Sequence, residues 1–220
     1  MMPWWPIALS FFGALIVAVG LAFTVQGWPR YVIVSGSVLT AIGGLGFVIH
    51  QVSYQTGGES FAYLDPRFIH PTTPEDYTVV TSLGHQGRYP LYDLSIHVID
   101  IEKFVEHVAQ HPRGPLPPGP YEQFYAWPRL EPETVAMDFI TWELPHDRDE
   151  QSYNIGIVSG RKVKRGVSQQ IRFRRINGEW WIALRVIRDD QVLIERGRQY
   201  LPRDEKGQPI WDQGKGRRAR

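Results

Sequence analysis

The chain is 220 residues long, lacks cysteine and carries a formal net charge of +1 from 24 Lys/Arg against 23 Asp/Glu. The absence of cysteine excludes a disulfide framework, thiolate-held zinc or iron–sulfur centres and thiol chemistry, and leaves the redox compartment open. The near-neutral total hides a division, because residues 1–154 carry 7 Lys/Arg against 16 Asp/Glu and residues 155–220 carry 17 against 7. Halves of opposite sign relieve each other if they pack together. A basic half left open offers a face to anionic lipid headgroups or an acidic protein.

The N-terminal residues Met1 to Pro6 contain no Lys or Arg, so they lack the charged start of a secretory signal. Two apolar runs follow, Ile7 to Val25 and Tyr31 to Ile49, each 19 residues long and free of charged side chains. At about 1.5 Å of rise per residue, each covers roughly 28 Å, close to the hydrocarbon thickness of a bilayer. The break Gln26-Gly27-Trp28-Pro29-Arg30 separates them, and Trp4, Trp5 and Trp28 flank the runs where indoles settle at headgroup level. The pattern predicts a transmembrane helical hairpin over residues 1–52, with helices at about 7–25 and 31–49.

Small residues recur every fourth position: Ala14, Ala18 and Ala22 in the first run, Gly36, Thr40 and Gly44 in the second. Such faces let helices approach closely in lipid, either within one hairpin or between copies in a homo-oligomer. Arg30 is the one charge in the break, so loop charge does not decide orientation. A hairpin with both ends inside, and a basic C-terminal half suited to an anionic leaflet, favour a cytoplasmic soluble domain.

Residues 53–203 read as β-rich. Ser60 to Leu64 alternates and is expected to stop at Asp65-Pro66, with a loop over His70 to Pro74. Tyr77 to Leu83 and Tyr89 to Ile101 form the next pair of strands. Tyr92, Leu94, Ile96 and Val98 share a face until Ile99 and Ile101 shift the phase, which predicts a bulge near residue 99. Glu102 to His111 has helical character and must end at the proline-rich stretch Pro112 to Pro120. Further strands are expected over Tyr121 to Trp127, Thr134 to Leu144 and Tyr153 to Val158.

The clearest local signal is Val167 to Ile187, two alternating runs around Asn177-Gly178, the pair favoured by a type I′ turn. Ile171 and Phe173 face one way with Arg172 and Arg174 opposite. A short strand over Gln191 to Glu195 follows. Eight or nine strands at this spacing predict an antiparallel sandwich or partly closed barrel with one short helix, and residues 204–220 a basic, disordered tail.

Chemistry-bearing constellations are sparse. His107 and His111 share a helical spacing, but the HExxH arrangement is absent, and no metal site or cofactor is predicted. His97 with Asp93 or Asp100 is an acid–base pairing that strand spacing sets too far apart for Asp93. No nucleophile elbow, phosphate loop or dinucleotide fingerprint occurs, so no catalytic residue is assigned. The basic set is stronger: Arg161, Lys162, Lys164 and Arg165 crowd one connection, and Arg172 and Arg174 follow. These are the candidates for anion or lipid binding, whereas the lack of interleaved stacking aromatics disfavours nucleic acid.

The expected function is a membrane-anchored β-sandwich serving as a binding or assembly module. The coarse architecture, paired membrane helices ahead of a β-rich domain, resembles the two-helix β-barrel effectors of bacterial anti-phage systems. That resemblance implies a ligand-gated effector sensing a small anionic molecule such as a cyclic nucleotide. A membrane-tethered hydrolase is the third alternative.

Overall fold

A computed structural model describes residues 10–16, 31–69, 77–111, 119–160 and 165–211. The chain divides into two compact units, Met1–Gly58 and Glu59–Arg220.

In the first unit residues 10–16 are helical, and α1 spans Tyr31–Thr56. Its 26 residues rise about 39 Å. Over Ser37–Tyr54 it is, among the described residues, the one helix long and apolar enough to cross a membrane. It runs past Ile49 because nothing from His50 to Thr56 breaks a helix, and the positive φ of Gly57 and Gly58 ends it. Val38, Ile42, Leu45, Val48, Ile49 and Val52 are all exposed along it.

The expected two-helix hairpin is not established by these residues. Ala14 lies in the helical stretch 10–16, while Ala18, Ala22 and the break from Gln26 to Arg30 lie outside the described residues. Gly36, Thr40 and Gly44 all lie on α1, but a Cβ added at Gly44 would meet nothing within 4 Å. Among the described residues no close packing is made at Gly44.

The second unit is a two-sheet antiparallel sandwich, not a closed barrel. One sheet orders β1 (Phe61–Ile69), β2 (Thr78–Gln86) and β5 (Val135–Glu143) as β1-β2-β5. The other comprises β3 (Leu91–Asp100), β4 (Glu122–Leu130), β6 (Glu150–Ser159), β7 (Arg165–Ile176), β8 (Glu179–Arg188) and β9 (Gln191–Arg196), ordered β4-β3-β6-β7-β8-β9. The short helix α2 (Ile101–Gln110) follows β3 directly.

Alternation fills the space between the sheets. Leu94, Ile96 and Val98 of β3, Ile155 and Ile157 of β6, Ile171 and Phe173 of β7, and Leu184 and Val186 of β8 are buried against Leu64, Val79, Leu83, Ile140 and Trp142. Trp142 stacks on Tyr153 at 4.2 Å between centroids, and both meet Phe173 edge-on. The Asn177-Gly178 turn has both residues at positive φ, as the type I′ reading requires.

Three sequence expectations change. β1 continues through Pro66 to Ile69, because β1 is an edge strand and proline there breaks no ladder. The phase change in β3 lies at Asp93, whose φ is +48, and not at residue 99. Register to β4 and β6 is regular through Ile99 and Asp100, and Ile101 already belongs to α2. Residues 204–211, expected as disordered tail, follow the chain onto the outer face of the six-stranded sheet, where Leu201 and Trp211 bury against Ala183.

Gln169 ties the sheets together. Its fully buried amide accepts from Leu64 N at 2.8 Å and donates to Leu64 O at 2.6 Å, completing the backbone bonding of β1 from the opposite sheet.

Candidate functional site

The ladders assign each charged group to one end of the sandwich. β6 and β7 pair from Ser159↔Arg165 onward, and β7 pairs with β8 from Ser168↔Ile187. Arg188, at the end of β8, donates to Glu59 O and Ser60 O, each at 3.0 Å. The strand ends that flank Arg161, Lys162 and Lys164 thus lie at the end where the β unit begins. The three side chains themselves lie outside the described residues, and Arg165 opens β7. The same end also carries acids in its turns, Glu131, Glu133, Asp189 and Asp190.

The two strand arginines do not join that group. Arg172 is 5% exposed. Its Nε donates to Trp211 O at 2.9 Å, its Nη1 to Tyr153 O and Ile171 O at 2.9 Å, and its Nη2 to Asn154 Oδ1 at 2.8 Å. A guanidinium saturated by chain oxygens pins the C-terminal segment and is closed to a headgroup. Arg174 reaches Glu150 Oε1 at 3.4 Å and Tyr200 O at 3.4 Å, towards the far end of β7. The alternation that set both opposite Ile171 and Phe173 held, but the outward position of Arg172 faces a strap of chain and is buried, while Arg174 stays partly exposed.

At the opposite end a cleft of about 460 Å³ opens between the sheets. Edge strands β4 and β5 border it with Gln123, Thr141, Trp142 and Glu143, Val98 and Tyr153 line it from β3 and β6, and Asp100, Lys103, Pro120 and Tyr121 complete it. Asp100 is buried and caps α2 by accepting from Lys103 N at 3.1 Å, while its other oxygen lies 3.4 Å from Lys103 Nζ. The Glu143 carboxylate has no partner among the described residues. Burial, aided by the charges of Asp100 and Glu102, raises the Tyr153 phenol far above its usual range, so it stays protonated.

Beside the cleft, α2 is fastened through Glu102. Its Oε2 accepts from Ser152 N at 2.8 Å, replacing the strand partner that β3 no longer supplies once the chain turns into α2. Burial raises the Glu102 carboxyl above 4.5, against the lowering effect of that hydrogen bond. His107 and His111 lie with ring centroids 4.4 Å apart and planes tilted by 36°, and the His111 ring Nδ1 lies 3.0 Å from His107 O. Among the described residues no three His, Asp or Glu side chains gather as a metal site. His97 stacks on Phe124 at 4.3 Å and lies 3.7 Å from Glu122, apart from the acid–base pairing considered for it.

Sequence reasoning missed the cleft because its residues come from five separate elements, and only the ladders bring β4 and β5 to bordering edges. One signal was available: Asp100 immediately before an amphipathic run, a helix N-cap that fixes where β3 stops. No protein-family model, curated protein or solved structure matches this chain.

Proposed function

We propose that this protein is a membrane-anchored binding module, a β-sandwich held at a bilayer by its apolar N-terminal region, with the basic β6–β7 connection against anionic headgroups. One observation carries the reading. The connection bearing Arg161, Lys162, Lys164 and Arg165 leaves the sandwich at the end where Glu59 and Ser60 enter it, a few residues after the apolar helix α1. A cation near an anionic leaflet gains about 1 kcal/mol, so four would add on the order of 4 kcal/mol of attachment. Arg174 and Arg172 take no part, being engaged elsewhere. Neighbouring Asp189 and Asp190 reduce the gain.

Exposed apolar side chains along α1 support insertion, since water disfavours a helix that buries so little of its apolar surface. The two-pass hairpin, a cytoplasmic β domain and homo-oligomerisation through Gly36, Thr40 and Gly44 complete the proposal. No described residue opposes Gly44, which is consistent with its small face serving a second copy. The anionic-ligand reading gains no support from the cleft, where Asp100 and Glu143 outnumber Lys103.

Two measurements test this. Alkaline carbonate should leave the full chain in the membrane fraction while detergent releases it; release by carbonate alone would defeat the anchor. Reporter fusions at the C-terminus should be active only in the cytoplasm, and an externally active reporter would overturn the sidedness.

A further inference from the structure

The cleft at the far end carries a second inference, independent of any lipid contact. We infer that it binds a small molecule with an ammonium group at one end and a hydrogen-bond acceptor at the other. Its volume of about 460 Å³ lies in the range that holds small ligands. It lies between two sheet edges, β4 and β5, neither of which has a further strand beside it among the described residues.

Charge selects the cation. Lys103 and Asp100 are already paired at 3.4 Å, so together they contribute no net charge to the wall. Glu143 remains, an exposed carboxylate on β5 without a partner among the described residues. Tyr121, Trp142 and Tyr153 supply aromatic surface, the environment in which an organic cation is held by both a carboxylate and ring faces.

An independent observation selects the acceptor. Trp142 lines the cleft, is 5% exposed, and its indole Nε1–H is buried with no hydrogen-bond partner among the described residues. A buried donor left unpaired costs about 1–3 kcal/mol, a cost that an oxygen acceptor on the ligand removes. Successive residues of a strand face opposite ways, so the buried Trp142 donor belongs to the inner wall of the cleft and the exposed Glu143 carboxylate to its rim, across the edge formed by β5. A ligand with one oxygen and one ammonium group matches both.

The test uses three probes of one shape and different charge: tyramine, the neutral alcohol tyrosol, and 4-hydroxyphenylacetate. Each is titrated calorimetrically into the full chain in detergent micelles. Tyramine should bind saturably at one site and the other two should not. Glu143→Gln should weaken tyramine about fivefold without moving the melting temperature. Lys103→Gln, which frees Asp100, should tighten it. Should Glu143→Gln fail to fold, the Lys103→Gln comparison decides alone. Equal binding of tyrosol, preferential binding of 4-hydroxyphenylacetate, no saturable heat with tyramine, or a tyramine affinity indifferent to both substitutions would each overturn the inference.

Discussion

The two ends of the sandwich are built on different physics. At the end where the chain enters, polar bonds do the fastening: Arg188 holds the carbonyls of Glu59 and Ser60, and Tyr89 N donates to Ser60 Oγ at 2.9 Å. His85 Nε2 lies 2.8 Å from Tyr89 O, and burial lowers its pKa below 6.5. At the cleft end an aromatic stack, Trp142 on Tyr153 against Phe173, bears the packing, and α2 is secured by the raised carboxyl of Glu102. One end is a set of directional bonds around a charged connection; the other is an apolar floor under an open pocket. Under the proposed function such a division has a purpose, because an attached end would need a fixed orientation while a receiving end would need uncovered surface.

Substitutions at each end should separate these contributions. Trp142→Ala should cost most, about 3–5 kcal/mol, since it leaves a large cavity at the core side of the cleft. Gln169→Leu should follow at about 2–4 kcal/mol, because it strands both Leu64 N and Leu64 O in the interior. Both are read from the denaturation midpoint of the full chain in detergent. A Gln169→Leu midpoint equal to the parent would mean the sheets do not depend on that clamp.

A smaller, signed effect comes from pH. His85 has a folded pKa below 6.5, so the stability it contributes is present above 6.5 and is lost as pH falls through the window beneath it. Glu102 has a folded pKa above 4.5, so its contribution is full below 4.5 and is lost as pH rises above that value. The ends therefore weaken in opposite directions. In melting curves from pH 4 to pH 8, His85→Gln should flatten the acid-side loss and Glu102→Gln the loss on the rising side. Identical profiles for both variants would remove the distinction.

Much of the sandwich was legible because local rules governed it. Asn177-Gly178 specified a turn that no tertiary contact had to create, and the alternation through Ile171, Phe173, Leu184 and Val186 named its buried face. The failures came where a residue's role depended on a distant neighbour. Pro66 stays within a strand only because β1 lies at an edge. Ile99 and Ile101 mimicked a bulge because the strand passes into a helix between them. Arg172 carries the same outward signal as a solvated arginine, and only the arrival of Trp211 O converts it into a buried fastener. The cleft was invisible for the same reason, since the strands that border it are assembled by pairing and not by sequence proximity.

The smallest stability effect is expected where the functional one is largest. Replacing Arg161, Lys162, Lys164 and Arg165 together by Gln should shift the midpoint by less than about 0.5 kcal/mol, as surface changes do. Gly44→Leu should likewise leave the β unit's stability unchanged while reducing cross-linked dimer in the membrane; unchanged cross-linking would dismiss the small face as an assembly surface.

The claim that one end faces the bilayer can be measured directly, because a chain without cysteine accepts single-site labels. Spin labels at Lys162→Cys and at Glu143→Cys would be compared in proteoliposomes containing anionic lipid, using lipid-borne relaxation agents to gauge depth. At roughly 3.3 Å per strand residue, the 12 residues of β7 set the two ends about 40 Å apart. The label at 162 should lie at the headgroups, and move away when anionic lipid is replaced by neutral lipid, while the label at 143 stays in water throughout. Equal depths for both labels, or a label at 143 closer to the lipid, would contradict the account.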